Sequence, residues 1–379
     1  MEICHNLRFL LQPSNQGEPA SRRCRVEPGH KSAGSQGRLV ACRVVHSGGR
    51  KVLVIGAQGA LGRLCVEPLR RAGFEVIRAG RRPEKADDFR LVDLGKPDSV
   101  PQACADADLV ISMVNDRSRT AERFVLREGG TMFTVIVSPA DRASVKALGD
   151  GANGLVVTDI GLGPGVTSLV FKDLLAAHPD ADCLENAGTF SMREPAGRGT
   201  VEDFSHPALT SVHRHPTAIV DFPEPFGPLR CLQFTDPEGA IGLIGNLAEG
   251  LPVRNYGYTL ERWARDPIMA INALGLISKL PLSLLTLTSE RQASSTVAKL
   301  QCHLCGVLRD GERLAASAVT GRGNFAMTAA SIATFAKVLL DRKDQGKIQS
   351  GVLGVDDVFD LSEVRAGFQA QGISIAALP

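Results

Sequence analysis

Short apolar runs, mostly β-branched and without clean polar alternation, recur along the first half of the chain: Val52–Ile55, Phe74–Ala79, Leu109–Val114, Met132–Val137 and Leu155–Val157, with a shorter one at Arg90–Asp93. Strands covered on both faces read this way. Stretches of helical length separate them, among them Arg63–Ala72, Arg119–Glu128 and Asp141–Leu148. Strand alternating with helix predicts an α/β fold built on a Rossmann-type, doubly wound parallel sheet. Past Val166 the texture changes to longer alternating strands, Arg230–Thr235 and Ala298–Leu308. Asp310-Gly311 and the return run Arg313–Thr320 then read as an antiparallel hairpin. A helix is expected over Thr328–Arg342, a capping box at Asp360 and Glu363, and a closing strand over Ile373–Ala377. The pattern divides the chain into an unstructured extension, 1–49, a nucleotide-binding domain, 50–165, and a second α+β domain containing an antiparallel sheet, 166–343. A C-terminal segment, 344–379, completes it.

Composition adds limits. With 379 residues the chain has room for two cores. Its net charge of +2 conceals a basic start, eight Lys and Arg against three acids in the first 50 residues, so the body is mildly acidic and no nucleic-acid partner is expected. Nine irregularly spaced cysteines fit a reducing, cytoplasmic setting better than a disulfide scaffold. Residues 1–49 lack periodicity. An organelle-targeting role is the alternative, although Glu2, Glu18 and Glu27 count against it. Ile268–Thr288 is nearly continuous in apolar residues, but Lys279 and Pro281 near its middle argue against a membrane span. A helix pair broken at Pro281, buried or forming a homodimer contact, is expected there, with peripheral membrane contact as the other reading.

The first strand runs into Gly56-Ala57-Gln58-Gly59-Ala60-Leu61-Gly62 and then a helix. Glycines let such a turn approach a pyrophosphate, whose charge is met by free amides and the helix dipole. The spacing is GxxGxxG, with Gln58 where the dinucleotide fingerprint has its second glycine, and Pro68 interrupts the following helix. After the second strand, where NAD enzymes place an acid, stand Arg81 and Arg82. Guanidinium forks suit the 2′-phosphate of NADP, although Glu84 could reach a ribose. Asp93, Val114 and Asn115 fall at later strand ends, where adenine and nicotinamide-ribose contacts occur in such sheets.

Several motifs resemble the saccharopine dehydrogenase-like family. The opening unit GAQGALGRLCVEPLRRAGFEVIRAGRRPE is similar to the family's own, and TDIGLGPGVTSLVFKDLL over Thr158–Leu175 resembles its crossing into the second domain. FPEPFG at Phe222–Gly227 and the run Gly321–Gly323 also fit, so the likeness spans about Lys51 to Pro379. It implies an NADP(H)-dependent oxidoreductase whose C-terminus returns to pack on the nucleotide domain.

Substrate contacts are expected at Gly161, Pro164 and Gly165 in the crossing loop, whose backbone amides can face the crevice mouth at its glycines, and at Gly199 and Thr200. A carbonyl or imine receiving hydride needs a proton donor nearby, and His206 and Tyr256 are the candidates in the second domain. No metal is expected. His213 and His215 lack a third ligand, and Cys302-His303-Leu304-Cys305 lies in an alternating strand that turns its thiols to opposite faces. The resemblance implies, as the leading expectation, hydride transfer to or from a C=N bond of a small, amino-acid-like substrate. Reduction of C=O or C=C in an apolar metabolite and a non-catalytic NADP(H)-binding scaffold are the alternatives.

Overall fold

A computed structural model of the protein describes residues 49–135, 139–194, 197–202, 206–234, 251–285 and 298–379. The expectations for residues 1–48, and for the ends of the runs at 136–137, 235 and 286–288, lie outside the described residues. Within them, β1 (Lys51–Ile55), α1 (Ala60–Arg71), β2 (Glu75–Gly80), β3 (Phe89–Leu91), α2 (Ser99–Cys104), β4 (Leu109–Ser112) and α3 (Thr120–Glu128) follow one another. Then come β5 (Thr131–Thr134), α4 (Pro139–Lys146) and β6 (Leu155–Thr158). With a seventh strand from the C-terminal segment, Gly351–Gly354, they form a parallel sheet in the order seventh strand, β6, β5, β4, β1, β2, β3. The order reverses between β1 and β4, and the crevice at such a reversal is where ligands bind. α1 runs through Pro68, which is buried on its inner face with Cys65 and Leu69.

The crossing loop leads into α5 (Thr167–Ala177) and the second sheet: β7 (Cys183–Phe190), β8 (Thr217–Asp221), β9 (Pro228–Phe234), β10 (Val253–Thr259), β11 (Leu300–Arg309) and β12 (Glu312–Arg322). The strand Ser374–Leu378 completes it at one edge, so the C-terminal segment serves both sheets. This sheet is mixed, because β7 and β10 run parallel while its other pairs are antiparallel. The β11–β12 hairpin turns at Asp310 and Gly311, with φ of 51° and 86°, as an Asp-Gly turn should. Asp360 and Glu363 form their capping box.

One core spans both sheets. The long helix Asn324–Asp344 lies against α1 and carries Ile332, Phe335 and Leu339 into it, with the Phe335 ring centroid 4.8 Å from that of Phe359 at a tilt of 43° and edge-on at 5.3 Å to Phe368. That helix starts four residues before the expected Thr328. The Glu194 carboxylate caps it from a distant loop, accepting from the amides of Asn324 at 2.8 Å and Phe325 at 3.4 Å. The apolar stretch from Ile268 is split among the end of the helix Arg262–Ala273, a left-handed turn at Gly275 and the single turn Ile277–Lys279. Among the described residues no helix is long and apolar enough to cross a membrane.

The crossing loop is anchored electrostatically. Asp159, just past β6 and at φ 63°, receives Arg142 Nη2 at 2.6 Å and Arg142 Nε at 2.9 Å, with Thr158 Oγ1 donating at 3.0 Å. Both charged side chains are buried. Removing one partner of such a pair strands the other's charge, so Arg142→Ala is expected to cost about 3–5 kcal/mol of stability, measured by urea denaturation. Adding Asp159→Asn should recover part of that loss.

Candidate functional site

Gly56 leaves β1 at φ 82°, and the amides of Gly56 and Ala57 both donate to the Ala79 carbonyl, at 2.9 and 3.1 Å. The glycine loop is thereby tied to the end of β2. A β-carbon on Gly62 would stand 2.2 Å from the Gly56 oxygen, and one on Gly56 would stand 2.6 Å from Val114 Cγ2, so neither position accepts a side chain as the backbone stands. Gly56, Gln58 and Gly59 line a groove of about 540 Å³ together with Arg81, Arg82, Asp93, Val114 and Asn115. Ala57, Leu61 and Gly62 pack behind it, and Ala60 faces Gly197, where a β-carbon would lie 4.0 Å from the Ala60 methyl. Sequence reasoning missed Arg63 and Asp116 on the same wall. Asp116 is committed to capping α3 through the Thr120 amide at 2.7 Å, whereas Arg63, on the first turn of α1, is exposed toward the groove.

The arginine turn has a definite charge pattern. Glu84, the acid within reach of a ribose by sequence, is held by Arg78 Nη1 at 2.6 Å, and Arg78 Nη2 holds Asp88 at 2.8 Å. That pairing keeps the Asp88 carboxyl below its ordinary range. Arg81 and Arg82 are exposed and form no ion pair among the described residues. The groove therefore fits a dinucleotide: a glycine cradle with no room for side chains, the amino end of α1, and, at the turn after β2, two guanidinium groups with no ion pair among the described residues.

A second cavity, about 300 Å³, lies between the crossing loop and the second sheet. The loop gives it Leu162, Gly163 and then Thr167. Gly161, Pro164 and Gly165, expected to contact substrate, are buried behind it, and the loop uses its own amides: that of Gly165 donates to Ser168 Oγ at 3.1 Å and that of Val166 to the Gly161 carbonyl at 3.0 Å. Thr200 lines the cavity while Gly199 is exposed. His206 opens the short helix His206–Thr210, and its side chain lies outside the described residues.

Tyr256 requires a correction. Its backbone borders the cavity, but the register pairs it with Ala187, on the face opposite Gly188 and Gly257, and its ring packs with Phe222, Cys302 and Leu304. His303, dismissed with its flanking cysteines, faces the cavity instead. The two thiols do diverge, Cys302 into the outer cluster and Cys305 into the main core. His303 shares the Cys305 face, edge-on to Phe190 at 6.0 Å, with Nε2 2.9 Å from Asn324 Oδ1. Asn324 Nδ2 donates to the Thr189 carbonyl at 3.3 Å, which turns its oxygen to the histidine and makes Nε2 the protonated nitrogen. Nδ1 then presents a lone pair beside Gly188, where a β-carbon would lie 3.2 Å from it. Burial lowers the pKa of this imidazole and keeps it neutral. His215 is structural, with Nε2 2.8 Å from the Leu209 carbonyl.

No family model matches this chain, and no curated protein matches it. Among solved structures it is similar to a meso-dapdh variant from Clostridium tetani, at 11% identity over 83% of this chain and 95% of that one, with a TM-score of 0.44. It is also similar to the WlbA dehydrogenase from Thermus thermophilus in complex with NAD and UDP-GlcNAcA, at 12% identity, 85% and 93% coverage and a TM-score of 0.37. A dipicolinate-bound dihydrodipicolinate reductase from Paenisporosarcina matches at 12% identity, 82% and 99% coverage and a TM-score of 0.36. At such distance the chemistry rests on this chain's own residues, and the saccharopine dehydrogenase-like resemblance rests on its motifs alone.

Glu194 gives this site a pH signature. Burial pushes its carboxyl up from 4.5 to about 7, against the pull of the Phe325 and Asn324 amides and of Gln301 Nε2, which donates at 2.6 Å. Between those values the unfolded chain has released a proton that the folded chain retains, so stability should fall as pH rises from about 4.5 to about 7, by about 3 kcal/mol in all, and level off beyond. Denaturation midpoints across that range should lose this slope in Glu194→Gln.

Proposed function

We propose that this chain is an NADP(H)-dependent oxidoreductase that acts on a C=O or C=C bond, or the corresponding reduced group, of a compact apolar substrate. The observation that carries the reading is the cavity between the crossing loop and the second sheet. Its described lining is dominated by residues such as Leu162, Phe190, Leu232, Phe234 and Ile268 and contains no lysine or arginine. An amino-acid-like substrate brings a carboxylate that would lose its hydration there without a cation in return. That favours an apolar metabolite over the C=N chemistry expected from the resemblance.

The glycine loop and the amino end of α1 hold the pyrophosphate, and Arg81 and Arg82 hold the 2′-phosphate. Bound NADP(H) supplies or accepts hydride at its nicotinamide. His303 manages the proton at Nδ1: the neutral ring accepts it from a substrate hydroxyl in the oxidative direction, and the protonated ring returns it to a carbonyl oxygen in the reductive one. Asn324 holds the opposite nitrogen and keeps the ring oriented. The apolar walls exclude water from the reacting group.

Fluorescence titration with NADPH and NADH tests the cofactor. Arg81→Ala with Arg82→Ala should weaken NADPH about 10- to 100-fold and leave NADH nearly unchanged, whereas equal losses would refute the 2′-phosphate assignment. Loss of NADPH absorbance with apolar ketones and enones, compared with oxo acids plus amines, tests the substrate class. Turnover that requires the amine would restore C–N chemistry, and tight NADPH binding with no turnover would favour a scaffold. In the active case His303→Asn should lower kcat about 100-fold while NADPH affinity stays within about twofold.

A further inference from the structure

Gln58 occupies the position at which the dinucleotide fingerprint has its second glycine, and its side chain does not point at random. Nε2 donates to the Arg82 carbonyl at 3.0 Å, bridging from the glycine loop to the turn after β2. Its other amide atom, Oε1, lies over Gly80, where a β-carbon would stand 2.6 Å from it. Gly80 does not have the positive φ that would explain a glycine there, so space for Gln58 is the demand its missing side chain meets. The loop backbone is tied to the same strand end through the Ala79 carbonyl, leaving the Gln58 side chain to reach the next turn.

We propose that Gln58 is a specificity-determining positioning residue: by latching the Arg82 carbonyl it holds the Arg81–Arg82 turn in the orientation that receives a 2′-phosphate, and so selects NADP(H) over NAD(H). The proposal rests on the NADP(H) reading and adds the mechanism of selection. Two exposed arginines on a free turn would lose conformational freedom on gripping a phosphate, and a turn already held in place loses less. Arg78 completes the arrangement from within β2, since its hold on Glu84 and Asp88 keeps two carboxylates that would repel the phosphate turned away from it. Gln58 acts through the Arg82 carbonyl, so its effect should fall on the cofactor that carries a 2′-phosphate.

The probes are NADPH and NADH by fluorescence, and 2′,5′-ADP and 5′-AMP by calorimetry, on the full chain. Gln58→Ala should weaken NADPH and 2′,5′-ADP about tenfold and change NADH and 5′-AMP by less than about twofold. Gly80→Ala, whose methyl would displace the Gln58 side chain, should reproduce that pattern with Gln58 still present. Combining the two should add nothing to either, because both remove one interaction. Equal losses for both cofactors, no loss at all, or additive losses would overturn the latch while leaving the NADP(H) reading intact. Wild-type protein that binds neither NADPH nor 2′,5′-ADP would overturn the reading and the latch with it. Thermal unfolding of each variant identifies a loss that comes from misfolding, and in that event the other variant decides the outcome.

Discussion

A β-carbon on Gly62 would stand 2.2 Å from the carbonyl oxygen of Gly56, and the approach of helix to strand that this permits governs the rest of the molecule. It sets where α1 begins and aims its first amides at the groove. It also places Cys65 and Leu69 in the core, leaving α1 lying along the long helix Asn324–Asp344. The long helix in turn brings Asn324 and Phe325 to the second cavity. One packed helix pair thereby borders both groove and cavity.

Charge is disposed so that the two compartments differ. Arg78 holds Glu84 and Asp88, Arg142 holds Asp159, and backbone amides hold Glu194. What remains uncommitted is positive at the groove, on Arg81 and Arg82, whereas the described wall of the cavity has no cation. The proposed pairing of a phosphorylated cofactor with an apolar substrate rests on that difference.

Much of this was legible locally. The glycine loop, the Asp310-Gly311 hairpin and the capping box at Asp360 each depend on backbone conformations that neighbouring residues dictate, and each was expected in place. Strand alternation also separated Cys302 from Cys305. The same alternation sets His303 beside Cys305 and Tyr256 against Gly257, but it cannot say which face of a strand meets a cavity. Tyr256, expected to act because it lies in the second domain, borders the cavity while its ring packs with Phe222, Cys302 and Leu304. The crossing loop misled in a different way: its glycines were expected to present amides, and the fold consumes the Gly165 amide within the loop.

The amino-acid sequence by itself determined the strand–helix alternation, the nucleotide loop and the arginines beside it, because period, turn chemistry and residue type act over a few neighbouring positions. Tertiary structure decided that Glu194 caps a helix 130 residues away, that Arg78 takes Glu84, and that His303 reaches the cavity while the Tyr256 ring packs into a separate cluster. Those outcomes depend on strand register and on pairings between distant segments. Burial and hydrogen bonding there are properties of the assembled core, and no local stretch of the chain encodes them.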